Sequence, residues 1–201
     1  GRSTAVGHEW VHADLAAVIQ AGTEGLAVPK VESVEQVKLV SAILDERERQ
    51  AKLPAGKVRL LIAVESPRGL LDAPAIAAAS PRVVGLMFGA EDPGKALGLP
   101  LRREDEAAQL LYQRSMLVMA AAAANVLSVD GVWPDIHDAE GLKRHATQSR
   151  RLGFTGMSLI HPGQTDIINE AFTPSEEDVA YCRKVIQAFD EAQARGEGSI
   201  A

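Results

Sequence analysis

The chain has 201 residues, 46% hydrophobic and 24% charged, with a net charge of −6. That is an ordinary globular composition, long enough for one domain with a sizeable core. The acidic balance, with no basic block, argues against nucleic acid as a partner. The single cysteine, Cys182, rules out an intrachain disulfide and makes a reducing, cytoplasmic setting the expectation.

The longest apolar run, 116–129, is too short and too alanine-rich to span a bilayer, so no membrane partner is expected. The opening GRSTAVGHEW has no initiator Met and no signal-peptide pattern, and reads as the middle of something rather than its start.

In chain order, 14–21 reads as a short helix with Asp14 at its N-terminus, broken by Gly22 and Gly25. LAVPKV (26–31) is a strand. Ser33 and Gln36 form a capping box for a helix whose apolar positions are Val34, Val37, Val40, Ile43 and Leu44. Its charged end, DERERQAK (45–52), is expected to be solvated, and Pro54 and Gly56 make a turn.

Two continuous apolar runs follow, VRLLIAVE (58–65) and VVGLMFGAED (83–92), and each ends in a carboxylate. Such runs suggest strands buried on both faces of a parallel sheet. The alanine-rich segment LLDAPAIAAAS between them has the length of one helix. A strand–helix–strand unit puts both strand ends at one sheet edge. Glu65 and Asp92 then meet there, although 27 positions separate them. Two converging carboxylates repel unless a cation or a proton lies between them. Mg²⁺ is the plainest candidate, because it uses one or two protein carboxylates and keeps other positions for water and substrate. The plainer alternative makes each acid a helix cap or the partner of a nearby arginine such as Arg68.

After Asp92, PGKALGLP reads as a functional loop. Residues 102–125 read as one long helix with Leu110, Leu111, Leu117 and Val118 inward. VLSVDGVW (126–133) is a strand, 138–152 a helix closed by Gly153, and GMSLIHP (156–162) a strand ending in His161. Thr173, Pro174 and Glu176 mark the start of a C-terminal helix, 174–195, with Val179, Cys182, Ile186 and Phe189 as its inner stripe. Five strand–helix units without hairpin signals mean a parallel α/β sheet, either open or closed as a barrel, within a single domain, 1–201. No G-x-G-x-x-G or P-loop supports a nucleotide-binding open sheet.

Glu65-Ser-Pro-Arg-Gly69, Phe88-Gly-Ala-Glu-Asp92 and Ile160-His-Pro-Gly-Gln164, in that order, resemble the citrate lyase β-subunit-like family of metal-dependent aldolases and lyases. Val28-Pro-Lys30 and the stretch Asp130 to Leu142 fit the same pattern. The resemblance implies a (β/α)₈ TIM barrel in which the five strands are the fourth to eighth, the first three βα units lying outside this chain. It also implies a divalent cation, Mg²⁺, held by Glu65 and Asp92 as the catalytic pair. Lys30, Arg68 and the Gly89–Ala90–Glu91 turn are the candidate substrate contacts: Lys30, at a strand end, suits either substrate charge or a salt bridge to a barrel acid, and Arg68, beside the metal turn, suits a CoA phosphate.

The activity implied is cleavage or formation of a C–C bond between a keto acid and an acyl thioester of CoA or an acyl-carrier protein, of the citryl-CoA or malyl-CoA type. The family also implies a homo-oligomer, a trimer or hexamer. Two other functions stay open: a pyruvate-type aldolase that uses no CoA, and a non-catalytic subunit of a lyase complex.

Overall fold

The structure, a computed structural model, describes residues 22–99 and 109–196 together with Ser3, Ala5, Val6, Leu15 and Ile19, the side chains of Glu91 and Pro93 excepted. Of the expected helix at 14–21 only Leu15 and Ile19 are described, the Ile19 N–H donating to the Leu15 carbonyl at 3.1 Å, and the first part of the helix expected at 102–125 lies outside the described residues. The chain falls into two compact units, Gly1–Ala171 and Phe172–Ala201.

Among the described residues the first unit is built on five parallel strands: β1 (Gly25–Val28), β2 (Arg59–Val64), β3 (Val83–Phe88), β4 (Leu127–Asp130) and β5 (Gly156–Met157). They lie side by side in the order of the sequence. Among the described strands the order never reverses, so they form no switch-point crevice of the doubly wound kind.

Alternate strand residues form a fully covered face: Leu26, Val28, Leu60, Ile62, Val64, Leu86, Phe88, Ser128 and Asp130. On the other face Ala27, Leu61, Met87 and Val129 are only half-buried. The continuous apolar runs suggested burial on both faces. One face is fully covered, and Ala63 and Gly85 are buried exceptions on the other.

The connections carry α1 (Val34–Gln50), α2 (Pro67–Leu71), α3 (Ala73–Ala77), α4 (Glu91–Ala96), α5 (Leu111–Ala123), α6 (Ala139–Leu152) and α7 (Thr165–Phe172). The capping box of Ser33 and Gln36 starts α1 as expected. The segment expected as one helix between β2 and β3 is two short ones. Asp72 ends α2 and begins α3, and Pro74 starts α3 afresh because it has no N–H to continue the first ladder. The expected loop after Asp92 begins instead as α4. Leu110 and Leu117 are buried as expected, whereas Leu111 is exposed. Asp138 caps α6 through the Gly141 N–H, and left-handed Gly153 closes it.

The end of α1 corrects the sequence reading. Glu48 is 1% exposed, on the same stripe as Val37, Val40 and Leu44. Its carboxylate accepts two hydrogen bonds from Arg82, at the start of β3, both at 2.7 Å. It also accepts from the backbone N–H of Gly56 at 2.8 Å and of Val58 at 2.7 Å. Hydrogen bonding from the Arg82 guanidinium holds the Glu48 carboxyl at about 2, below the ordinary 4.5, in spite of burial.

A depressed carboxyl contributes stability that is complete above the ordinary value and is lost as pH falls towards the folded-state value. Glu48→Gln is therefore expected to lower stability by about 3 kcal/mol at neutral pH, the scale of breaking a buried pair. The gap between the two proteins in thermal melts is expected to narrow between about pH 4.5 and pH 2. A gap that stays constant with pH contradicts the assignment.

In the second unit, α8 (Glu176–Ala194) starts from Ser175 in a capping box with Asp178, two residues beyond the expected cap Thr173. Its expected inner stripe is not buried: Val179, Cys182, Ile186 and Phe189 are all exposed. Among the described residues, no helix is long and apolar enough to cross a membrane.

Candidate functional site

The C-terminal ends of the strands open onto a cavity of about 500 Å³. Its lining includes Lys30 after β1, Glu65 after β2, and Gly89, Ala90 and Asp92 after β3. Gly131 and Val132 come from the β4 end, and Ser158 to Ile160 from the β5 end. Glu65 and Asp92 thus reach one cavity from neighbouring strands, as the topology demanded.

Two glycines make room for Glu65 and the turn before it. A Cβ on Gly89 would stand 2.4 Å from Glu65 Cγ, so the glutamate side chain lies directly over the Gly89 backbone. The next strand end therefore sets the course of the side chain, and its Oε2 is fully covered. A Cβ on Gly69 would stand 2.5 Å from the Val31 carbonyl oxygen, which lets α2 close against the turn that carries Lys30. Between them Ser66 caps α2, accepting from the Gly69 N–H at 3.0 Å.

Lys30 has φ +55°, a left-handed conformation that costs a residue with a side chain about 1–2 kcal/mol. The Val31 N–H donates to the Ala63 carbonyl at 3.3 Å and anchors this turn to β2. The Lys30 ammonium then meets Asp92 Oδ2 at 2.8 Å, both groups being partly solvent-exposed. This hydrogen bond, with the charges of Lys30 and Lys95, holds the Asp92 carboxyl below its usual range.

The other expected contacts divide. Gly89 and Ala90 line the cavity, but the Gly89 N–H is taken by the Val64 carbonyl at 3.0 Å. Glu91 has its backbone in α4, and its side chain lies outside the described residues. Arg68 is not brought to the cavity; it is exposed and pairs with Asp72, one helical turn on, at 3.0 Å. His161 caps the short 3₁₀ turn Pro162–Gln164, its Nδ1 accepting from the Gly163 N–H.

The β4 end contributes a third strand-end acid, Asp130, whose carboxylate is already engaged. Arg114 of α5 donates to Oδ2 from Nε at 3.1 Å and from a terminal nitrogen at 2.6 Å. Ser149 donates to the same oxygen at 2.6 Å, and the Gly131 N–H to Oδ1 at 2.8 Å. His145 Nε2 lies 3.6 Å from Oδ2, and its ring packs against Trp133. Asp130 and Arg114 are each 1% exposed. Asp130 is thus a post that holds Gly131 in the cavity wall.

Gln164 performs a similar task, donating to the Trp133 carbonyl at 3.0 Å and accepting from the Ile160 N–H at 3.1 Å, which ties the β4 and β5 loops together. The sequence placed Asp130 and Gln164 only within the motifs that carry the family resemblance. It did not mark Met87, Val132, Ser158, Leu159 or Ile160 as site residues. Their position at or just beyond strand ends was the available signal.

Chemically, the cavity offers two carboxylates and an ammonium at one rim, with apolar side chains opposite. Among the described residues no group of three or more His, Cys, Asp and Glu side chains gathers to form a closed metal cage. Two carboxylate donors beside open space suit a hard divalent ion that keeps positions for water and ligand, rather than zinc.

The family described as HpcH/HpaI aldolase/citrate lyase matches residues 2–162. The citrate lyase subunit beta of Haemophilus influenzae is 35% identical over 188 residues, 94% of this chain and 64% of that protein. The (3S)-malyl-CoA thioesterase of Cereibacter sphaeroides is 35% identical over 190 residues, 94% of this chain and 62% of that protein. The chain thus spans under two thirds of the length of these relatives. Among solved structures, the protein CitE from Mycobacterium tuberculosis in complex with magnesium, acetoacetate and coenzyme A superposes with a TM-score of 0.73 at 34% identity. That match covers 100% of this chain and 68% of the other.

Proposed function

Because the chain belongs to the HpcH/HpaI aldolase/citrate lyase family, we propose that it cleaves or forms a C–C bond in a citryl-CoA- or malyl-CoA-type thioester, with Mg²⁺ held by Glu65 and Asp92. The observation that carries this is the arrival of those two acids, from separate strands, in one cavity that also holds Lys30. The strictly sequential parallel order supports a further reading, in which the five strands are the fourth to eighth of a (β/α)₈ barrel.

In the cleavage direction a base takes the hydroxyl proton, and the electron pair left on that oxygen closes the carbonyl of the keto acid. The C–C bond breaks, and its electrons pass to the thioester α-carbon as an enolate, which a proton then quenches. The ion supplies a Lewis acid that polarises the keto-acid oxygen and steadies the negative charge that develops there. Gly89 gives Glu65 its course, and the Asp130–Gly131 and Gln164 ties hold the opposite wall. The apolar side chains of Val132, Leu159 and Ile160 limit the water beside the enolate. Lys30 supplies positive charge for a substrate carboxylate. Likeness to the malyl-CoA thioesterase supports hydrolysis of the thioester as a second activity of the same cavity.

Thermal melts test this. Mg²⁺ is expected to raise the melting temperature, and oxaloacetate with CoA to raise it further. A ligand at a hundred times its dissociation constant adds about 2.7 kcal/mol. Equal melts in Mg²⁺ and in EDTA would overturn the metal assignment. A response to oxaloacetate but none to CoA would replace the lyase with an aldolase that uses no thioester.

A further inference from the structure

The turn after β1 is held in an unusual shape and carries Lys30 to Asp92. Lys30 is left-handed at φ +55°, a conformation that favours glycine or asparagine over lysine. The turn is fixed from both sides: the Val31 N–H is bonded to the Ala63 carbonyl, and the Val31 carbonyl oxygen lies against Gly69. The effect is to carry the Lys30 ammonium past the end of β2, where Glu65 stands, to Asp92 Oδ2 on the far side at 2.8 Å. A strained backbone at a cavity rim is a sign of function when the surrounding structure maintains it.

We propose that Lys30 is a resident counter-cation that a divalent ion must displace from Asp92, and that its freed ammonium then takes the carboxylate of the incoming keto acid. The inference rests on the assignment of Glu65 and Asp92 as the metal pair. Its physical basis is charge. An ammonium on Asp92 balances that carboxylate while the ion is away, and it repels a second cation placed beside it. Metal therefore binds first and the keto acid second, because it is the ion's charge that drives the ammonium off Asp92 and leaves its donors to the substrate carboxylate.

The two roles give effects of opposite sign, which a merely structural lysine would not. Lys30→Met keeps most of the stem and removes the charge. Lys30→Asn also removes the charge, but suits the left-handed backbone. Calorimetric titration of Mg²⁺ into the ligand-free protein is expected to show tighter binding in both variants, by about two- to fivefold, the scale of one exposed charge pair. Titration of oxaloacetate into the Mg²⁺-saturated protein is expected to show binding weakened by about tenfold or more, the loss of a charge-assisted hydrogen bond. Lys30→Arg is expected to restore both values towards those of the unaltered protein.

Unchanged Mg²⁺ affinity in both neutral variants overturns the proposal, as does weakening of both ligands. In the unaltered protein with ¹³C-methylated lysines, the Lys30 resonance, identified by its loss in Lys30→Arg, is expected to move on addition of Mg²⁺ alone. A resonance that stays in place while the ion binds also overturns it. Failure of the unaltered protein to take up Mg²⁺ at all would instead overturn the metal assignment beneath it.

Discussion

Asp92→Ala is expected to reduce C–C bond cleavage at least about a hundredfold, the scale of losing one group that stabilises charge in the transition state. The same variant is expected to keep the fold. Asp92 is partly exposed and its recorded ion pair is with Lys30 at the rim. An exposed pair of that kind contributes under about 1 kcal/mol. Loss of activity should therefore come with an unchanged circular dichroism spectrum and a nearly unchanged melting temperature. Glu65→Gln preserves the volume that lies over Gly89 and removes only the charge, so it separates metal binding from packing. Both variants should lose the melting response to Mg²⁺. Full activity in Asp92→Ala would remove the carboxylate pair from the mechanism.

The largest effect on stability is expected at Arg114. Replacing it by Met leaves the Asp130 carboxylate fully buried without its guanidinium partner. Breaking a buried ion pair from one side costs about 3–5 kcal/mol. Urea unfolding of Arg114→Met should show that loss as a lower midpoint with an unchanged slope. Adding Asp130→Asn should recover part of it, because an amide can still accept from the Gly131 N–H and carries no charge to strand. The pair is a coupled unit, so the two substitutions are not additive. Arg114→Met should also raise KM more than it lowers kcat, since what it loosens is the Gly131 wall of the cavity. A loss below about 1 kcal/mol would mean that Asp130 finds water or another partner.

The contrast between Asp92 and Asp130 shows what the sequence could tell. Both are acids at the end of an apolar run, and the pattern of strands correctly brought Asp92 and Glu65 to one edge. Nothing local separates an acid that faces a cavity from one committed to an arginine 16 positions earlier. That distinction depends on which helix packs behind the strand.

A signal did exist. Arg114 falls on the helical stripe of Leu110, Leu117 and Ala121, and Glu48 falls on that of Val37, Val40 and Leu44. A charge on an apolar stripe points to a buried partner, whereas the run DERERQAK, taken whole, suggested only a solvated surface. The helix α8 shows the opposite error. Its spacing correctly marked an apolar face, but periodicity does not say what covers that face, and the expected inner residues are exposed. The break at Asp72 was legible in Pro74, yet alanine content favoured one continuous helix.

The contact of Glu65 with Gly89 has a practical consequence for anyone wishing to redirect the cavity to new substrates. Position 89 faces the cavity and is followed by the small Ala90, which makes it a tempting place to introduce bulk. Even a single methyl there would land on the glutamate stem and push the carboxylate off its course. Diversity is better introduced on the opposite wall, at Val132, Leu159 and Ile160, where library members change the shape of the chamber and leave the acids alone.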